Sequence, residues 1–242
     1  MVKKKYRIRM SDHRTQDINI FYAHLSRLSS ADGGVRTLAM CNGRMVWPQR
    51  GVYFFQEIGE GRSSSGEGPR IVRVGTHALK GGSKTSIWNR LSQHRGSARS
   101  GGGNHRGSIF RLIVGTALMA RDGYACGTWG HESSAPRDIR QAEHELEKHV
   151  SQVIGAMPFL WLDIDDESGP DSQRGYIERN SIALLSNSGK EACDLPSESW
   201  LGRFCDRERV RRSGLWNQNH VDEQYDPAFL DVLGQLIDKM SR

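Results

Sequence analysis

The sequence predicts an α+β fold in which two short strands form a hairpin and amphipathic helices flank it. Residues 51–57 (GVYFFQE) and 70–76 (RIVRVGT) are rich in β-branched and aromatic residues, as strands usually are. The segment between them, residues 59–69, is full of Gly and Ser and is typical of a flexible loop. Elsewhere, apolar residues recur three and four positions apart, which is the period of a helix.

Helical periodicity predicts one helix before the hairpin and several after it. The first covers residues 17–28, and the Ala31-Asp32-Gly33-Gly34 segment ends it. The later helices are predicted over residues 85–95, 108–120, 138–154, 173–186 and 227–240. Residues 108–120 also suit a strand, but their apolar spacing favours a helix. A third strand is predicted over residues 159–164, where a short apolar run ends in acidic residues.

The composition is compatible with an anionic partner and excludes several classes of protein. The 242 residues include 34 Lys and Arg against 28 Asp and Glu, a formal net charge of +6. Such an excess is typical of nucleic-acid binding, although ordinary solubility charge explains it equally well. The four cysteines form no CxxC pair and no zinc-finger spacing, which indicates reduced thiols. With no signal-peptide pattern and no run of 18 apolar residues, we expect a cytoplasmic protein without membrane contact.

Strand alternation divides the side chains of the hairpin between two faces. The first face is apolar and suits a core, and it holds Val52, Phe54, Val72 and Val74. The second face holds Tyr53 and Arg73, together with Phe55 and Ile71. A structural role at the edge of a sheet would explain Tyr53 if it stood alone.

The helix predicted over residues 85–95 adds two further polar side chains. Arg90 and His94 are spaced i, i+4, so they lie on one face of that helix. A guanidinium suits a phosphate because its planar fork binds two oxygens. Tyr53, Arg73 and the Arg90–His94 pair could therefore all point at one phosphate.

In their order and spacing these segments resemble the GIY-YIG nuclease superfamily. Gly51-Val52-Tyr53 is similar to the first motif of that family, and Arg73-Val74-Gly75 is similar to the second in its last two residues. Arg73 stands where the second tyrosine would be. Residues 89–94 (NRLSQH) resemble the motif of the following helix, and the Arg-x-x-x-His pairing resembles the restriction-endonuclease-like branch in particular.

The resemblance implies a fold and a division of the chain. The fold is a small three-stranded antiparallel sheet flanked by helices, here with N- and C-terminal helical extensions. Residues 51–187 would form the nuclease core, residues 1–50 an N-terminal helical extension, and residues 188–242 a C-terminal extension with a basic cluster and a terminal helix.

The resemblance also implies a metal-dependent endonuclease that hydrolyses DNA with Mg²⁺ or Mn²⁺. The implied catalytic residues are Tyr53, Arg73, Arg90, His94, Glu178 and Asn187. Glu178 would be the metal ligand, because residues 176–182 (YIERNSI) resemble the helix that bears the family's glutamate. Asn180 rivals Asn187 as the family's asparagine. The competing carboxylates Glu143, Glu145 and Glu147 are expected to form a solvated acidic face.

DNA contacts are predicted at two basic stretches outside these motifs. They are the Gly-rich loop over residues 96–107 with its flanks, and the cluster before residue 213; the named candidates are Arg95, Arg106, Arg209, Arg211 and Arg212. Residues 213–220 (SGLWNQNH) follow that cluster and would bring Trp216 or Asn217 near bases. A solvated helix with a structural tryptophan explains this tail equally well.

The implied partner is DNA. A second copy of the chain, or proteins of a defence system, are further partners that the sequence leaves open. The motifs favour bacterial restriction or another anti-phage role. The alternative is a catalytically decayed nucleic-acid-binding subunit of a defence or repair complex, which Arg73 at the second motif would permit.

Overall fold

An antiparallel sheet of four strands lies at the centre of the computed structural model, which describes residues 2–31 and 33–240, with side chains from residue 13 onward. The strands are β1 (Arg36–Thr37), β2 (Gly51–Gly61), β3 (Pro69–Gly75) and β4 (Pro158–Asp163), in the spatial order β1-β4-β2-β3. The hairpin and the third strand predicted from the sequence are confirmed as β2, β3 and β4. The additional strand, β1, is two residues long and too short for a periodic signal.

Helices cover both faces of this sheet, and each helix predicted from periodicity is confirmed. They are α1 (Val2–Ala31), α2 (Ile87–Arg95), α3 (Ile109–Asp122), α4 (Arg137–Ala142), α5 (His144–Ala156), α6 (Gln173–Leu185), α7 (Glu208–Ser213) and α8 (Phe229–Met240). Residues 108–120 are helical, as their apolar spacing favours, and the helix predicted over 138–154 is divided at Glu143. Among the described helices, none has the length and apolar character needed to cross a membrane.

Each face of the sheet has its own hydrophobic core. On one face, Val52 and Phe54 of β2 pack with residues of α1, α6 and α8, among them Phe21 and Leu233. On the other face, Tyr53 and Phe55 pack with residues of α2, α3 and α5 and with Trp216. The sheet is therefore sandwiched between helices, and a polar group of β2 can reach the surface only at the end of a strand or between helices.

A bulge in the hairpin changes the face assigned to two residues. Phe55 pairs with Arg73, but the next pair is Gln56 with Ile71, so the register shifts by one residue at this point. As a result Ile71 packs in the core with α1, and Val72 packs in the core with α3. The faces predicted for Ile71 and Val72 were wrong, because strict alternation does not reveal an inserted residue.

A buried ion pair joins α3 to α5. Arg111 is fully buried; its Nε donates to Oε2 of Glu147 at 2.8 Å, and its Nη1 donates to the backbone oxygen of His94 at 2.8 Å. Burial by itself would raise the pKa of Glu147, but hydrogen bonds with His105 and the charge of Arg111 outweigh it and lower that pKa. The network thus anchors the end of α2, where His94 lies, to both helices.

The solvated acidic face predicted for α5 was wrong for two of its three carboxylates. Glu143 and Glu147 are buried and paired with arginines, whereas the side chain of Glu145 is 71% exposed. Their partners Arg106 and Arg111 come from segments that are 36 or 37 residues away in the chain. Helical spacing carries no information about such long-range pairing.

Replacing Arg111 by Met should lower the free energy of unfolding by about 3–5 kcal/mol, because Glu147 stays buried after its main partner is lost. Urea denaturation followed by circular dichroism measures the change. Arg137→Met, on the exposed surface of α4, is the matched control and should change stability by less than about 0.5 kcal/mol. An Arg111→Met protein as stable as the control would show that the pair contributes little to folding.

Candidate active site

Tyr53 lies on the central strand β2 and is hydrogen-bonded to a buried histidine. Its hydroxyl is 3.0 Å from Nε2 of His94, and Nδ1 of His94 is 2.7 Å from Oγ of Ser108. Ser108 is also the N-cap of α3, where its Oγ accepts the backbone N–H of Arg111. Tyr53, His94 and Ser108 therefore form one chain of hydrogen bonds that links β2, α2 and α3.

The imidazole of His94 is held in its neutral form. Burial lowers the pKa of His94 well below its ordinary value, and the charges of Arg90, Arg73 and Arg111 lower it further. A neutral ring has one N–H and one bare nitrogen. With the proton on Nδ1, the ring donates to Ser108 and accepts a hydrogen bond from the Tyr53 hydroxyl.

The two glycines that flank the site are required by close packing. A Cβ on Gly51 would lie 2.3 Å from the backbone oxygen of Leu162 in the neighbouring strand β4. A Cβ on Gly75 would lie 2.5 Å from the ring and hydroxyl atoms of Tyr53. The Tyr53 ring thus rests against bare backbone at the end of β3, which fixes its position.

Arg73 lies on β3, where it pairs with Phe55 of β2, and it is buried beside Tyr53. Its Nη1 donates to the backbone oxygen of Trp216, and its guanidinium carbon lies 4.5 Å from the centroid of the Phe110 ring. Burial lowers the pKa of Arg73, and the neighbouring Tyr53 side chain opposes that shift. Its Nε is buried and has no hydrogen-bond partner among the residues that the structure describes.

Two further charged side chains come from helices on opposite sides of the sheet. Arg90 of α2 is half-buried, and its Nη1 donates to the backbone oxygen of Gly107 at 3.2 Å. Glu178 of α6 accepts the backbone N–H of Thr76 on Oε1 at 3.1 Å. Burial raises the pKa of Glu178, and the charge of Arg73 is the strongest opposing influence.

Four of the predicted site residues line one cavity of about 410 Å³, and they are Tyr53, Arg73, Arg90 and Glu178. His94 lies behind Tyr53, to which it is hydrogen-bonded. The structure therefore brings together side chains from β2, β3, α2 and α6, which are as much as 125 positions apart in the chain.

The far wall of the cavity is formed by residues 216–220, and the first two of these residues pair with the open edge of β3. The backbone N–H of Trp216 donates to the oxygen of Val72 at 2.7 Å. The side chain of Asn217 accepts the N–H of Val74 at 3.1 Å and donates to its oxygen at 2.8 Å. The sequence pointed to Trp216 and Asn217 as DNA contacts, with a structural tryptophan as the equal alternative, and it did not predict the pairing with β3. The available signal was that an edge strand needs partners for its backbone groups.

The structure does not bring Asn187 or Asn180 to the cavity. Oδ1 of Asn187 accepts the backbone N–H of Cys193 at 2.9 Å, and Oδ1 of Asn180 accepts the backbone N–H of Asp226 at 2.7 Å. Both amides thus hold the chain that follows α6. The cavity is instead lined by Asn217 and Asn219.

Two of the arginines predicted to contact DNA are directed at the protein. Arg95 donates to the backbone oxygen of Cys41, and its guanidinium lies 5.7 Å from the ring centroid of Trp88. Arg106 is buried and makes two hydrogen bonds to the carboxylate of Glu143, at 2.6 and 2.9 Å. The charge of Arg106 is therefore neutralised within the fold, whereas Arg95 is held against the protein by uncharged groups.

The three arginines predicted on α7 have different surroundings. Arg209 and Arg212 have exposed side chains, and they form ion pairs with Asp222 at 3.1 Å and with Glu208 at 3.5 Å. Arg211 donates to a backbone oxygen. Exposed pairs of this kind are weak, so both side chains can exchange their partner for a phosphate at little cost.

A buried tyrosine, two guanidiniums and a carboxylate around one cleft, on a small antiparallel sheet covered by helices, define a nuclease domain. The family model described as GIY-YIG domain matches residues 12–242, and the chain belongs to the GIY-YIG family. At the level of that family its activity is that of an endonuclease. No curated protein and no solved structure matches the chain.

The residues of the cavity are compatible with a hard divalent cation. Oε2 of Glu178 makes no hydrogen bond to any residue that the structure describes, and the side chain lines the cavity. The described residues contain no group of three or more His, Cys, Asp or Glu that could enclose a metal ion. Mg²⁺ fits this situation, because it usually takes one or two carboxylates and fills its other positions with water and substrate phosphate oxygens.

Replacing Gly75 by Ala should impair nuclease activity while leaving the protein folded. The added methyl group forces the Tyr53 ring away from its place and lengthens its hydrogen bond to His94. A misplacement of about 1 Å can cost on the order of 100-fold in rate. Cleavage rate and thermal unfolding should be measured together. Gly127→Ala, which meets nothing within 4 Å, is the matched control; equal rates for the two variants would contradict the prediction.

Proposed function

We propose that this protein hydrolyses phosphodiester bonds of DNA as an endonuclease that depends on a divalent ion, Mg²⁺ or Mn²⁺. The observation that carries the proposal is the convergence of Tyr53, Arg73, Arg90 and Glu178 on one cavity. If Tyr53 were only a packing residue of the core, neither the partly exposed Arg90 nor the buried, unpaired N–H of Arg73 would be explained. An anionic substrate accounts for both.

The two guanidiniums bind the phosphate and stabilise the charge that builds on its oxygens. Arg73 is buried, so its charge acts with little screening by water, and its side chain lines the cavity that would receive a phosphate. Arg90 also lines the cavity and donates to the same phosphate. Fixed donors directed at developing charge commonly contribute about 3–4 kcal/mol each to the stability of a transition state.

Tyr53, ionised to the phenolate, takes the proton of the attacking water at its phenolic oxygen and becomes the phenol that donates to His94. His94 is neutral and positions the phenol through their 3.0 Å hydrogen bond; with its lowered pKa it does not store a proton. The positive charges of Arg73 and Arg90 offset the negative charge on the reacting groups. The new bond joins water to phosphorus and the bond to the 3′ oxygen breaks, so the products carry a 5′ phosphate and a 3′ hydroxyl.

Glu178 would hold the divalent ion through its free carboxylate oxygen. When bound, such an ion stabilises charge on the departing 3′ oxygen. Thr76 fixes the other carboxylate oxygen through its backbone N–H, so the free oxygen is held towards the cavity.

The Arg-x-x-x-His pairing of Arg90 and His94 supports a role in restriction or another anti-phage defence, with a second copy of the chain or defence proteins as partners. The alternative is a subunit that binds nucleic acid without cutting it, which Arg73 would permit at the second motif. The joint presence of Tyr53, Arg90, His94 and Glu178 supports the enzyme.

Glu178→Gln should abolish metal-dependent cutting, because the amide keeps the size of the side chain but removes the charge that binds the ion. The assay follows plasmid and phage DNA with Mg²⁺, Mn²⁺ or EDTA. Glu145→Gln, on the exposed face of α5, is the matched control and should cut like the wild type. If Glu145→Gln is the inactive protein, the metal ligand has been assigned to the wrong helix. Cutting that persists in EDTA would exclude the metal requirement.

Tyr53→Phe should slow cutting by about 10²–10⁴-fold and leave DNA binding unchanged, since only the phenolate oxygen that accepts the proton is lost. Single-turnover cleavage and a gel-shift titration separate the two effects. Tyr124→Phe, at a half-exposed tyrosine after α3, controls for loss of a phenol. A wild-type rate in Tyr53→Phe would remove this residue from the mechanism. Wild-type protein that binds DNA and never cuts it would favour the non-catalytic alternative.

A further inference from the structure

The turn at His220 places an imidazole next to Glu178. Both residues line the cavity of about 410 Å³ described above, and both also line an adjoining cavity of about 620 Å³. They therefore lie where the two cavities meet.

The imidazole of His220 is oriented by a carboxylate. Its Nδ1 is 2.9 Å from Oε1 of Glu223, so the Nδ1–H donates, and in the neutral ring Nε2 carries the free lone pair. Nε2 makes no hydrogen bond to any residue that the structure describes. A histidine that binds a metal almost always donates its other ring N–H to a carboxylate, a carbonyl or water, which fixes its tautomer.

The backbone of His220 is in an uncommon conformation that its neighbours maintain. Its φ angle is 64°, in the left-handed region, which few residues other than Gly adopt. Glu223 also pairs with Arg179, the residue after Glu178, at 2.5 Å. Asn217 fixes the other side of the turn to β3. Conformations of this kind persist where the surroundings enforce them, and they cluster at functional sites.

We propose that His220, through Nε2, is a second protein ligand of the divalent ion held by Glu178. This inference rests on the metal dependence proposed above and adds a residue that the sequence motifs do not contain. Water and phosphate oxygens would complete the coordination shell. A nitrogen ligand raises affinity along the series from Mn²⁺ to Ni²⁺, whereas Mg²⁺ prefers oxygen. The site should therefore bind Co²⁺ and Ni²⁺ more tightly than Mg²⁺.

The test uses metal ions as probes and the full-length protein without DNA. Pulsed electron paramagnetic resonance of bound Mn²⁺ detects a directly coordinated nitrogen, and titration calorimetry gives the affinities for Co²⁺ and Mg²⁺. His220→Asn is the informative variant, because Asn tolerates the left-handed conformation and should leave the melting temperature unchanged or higher. His131→Asn, at an exposed histidine outside both cavities, is the matched control.

The proposal expects nitrogen coupling in the wild type and in His131→Asn, and its loss in His220→Asn. It also expects Co²⁺ affinity to fall by about 10- to 100-fold in His220→Asn, with Mg²⁺ affinity changed by less than about threefold. Glu223→Gln should weaken Co²⁺ binding in the same direction, which provides a second variant if His220→Asn does not fold.

Two kinds of result would overturn the proposal, and each leaves the proposed function to a separate measurement. Mn²⁺ that binds without nitrogen coupling, or coupling that survives in His220→Asn, would show that His220 is not a ligand. Absence of any metal binding to the free protein would do the same. In either case the comparison of DNA cutting with Mg²⁺ and with EDTA still decides whether the protein is a metal-dependent nuclease.

Discussion

The hydrogen bonds between residues 216–217 and the open edge of β3 are the constraint on which the site depends. β3 is an edge strand, so its outward backbone groups need partners, and Trp216 and Asn217 supply them. The same pairing presents the Trp216 carbonyl to Arg73 and places the turn at His220 near Glu178. Without it the cavity would lose its far wall, and the buried guanidinium of Arg73 would lose its acceptor.

The charge of the cavity follows from this enclosure. Two guanidiniums, of Arg73 and Arg90, face one carboxylate, of Glu178, so the lining carries an excess positive charge. Burying a charge costs free energy unless an opposite charge is nearby, and the single carboxylate of Glu178 does not balance the two guanidiniums. The same cations keep His94 neutral. A phosphate entering the cavity would supply the missing negative charge. The same electrostatic attraction would therefore bind the anionic backbone and stabilise the occupied site.

Local patterns in the sequence predict the elements and those site residues whose neighbours are close in the chain. Tyr53 follows from strand alternation, and the Arg90–His94 pair follows from helical spacing. Long-range features escape such reasoning. The bulge that reverses Ile71 and Val72 is set by pairing with β2. Arg106 is buried because Glu143, 37 residues away, neutralises it. Asn217 and His220 reach the site because the outer edge of β3 has no neighbouring strand, and no local sequence pattern indicates this.

The position of His220 shows the difference between local and long-range control of a side chain. A regular helix or strand sets the direction of each of its side chains, so residues that share a face can be recognised from their spacing in the sequence. His220 is fixed instead by Glu223, by Arg179 on α6 and by the docking of Asn217 on β3, so it has no spacing relation to Glu178. The C-terminal segment is thus structurally part of the cavity, although the sequence boundary at residue 187 remains a prediction. A site of this kind is completed only when the last third of the chain has folded against the first hairpin, which ties the chemistry to complete folding.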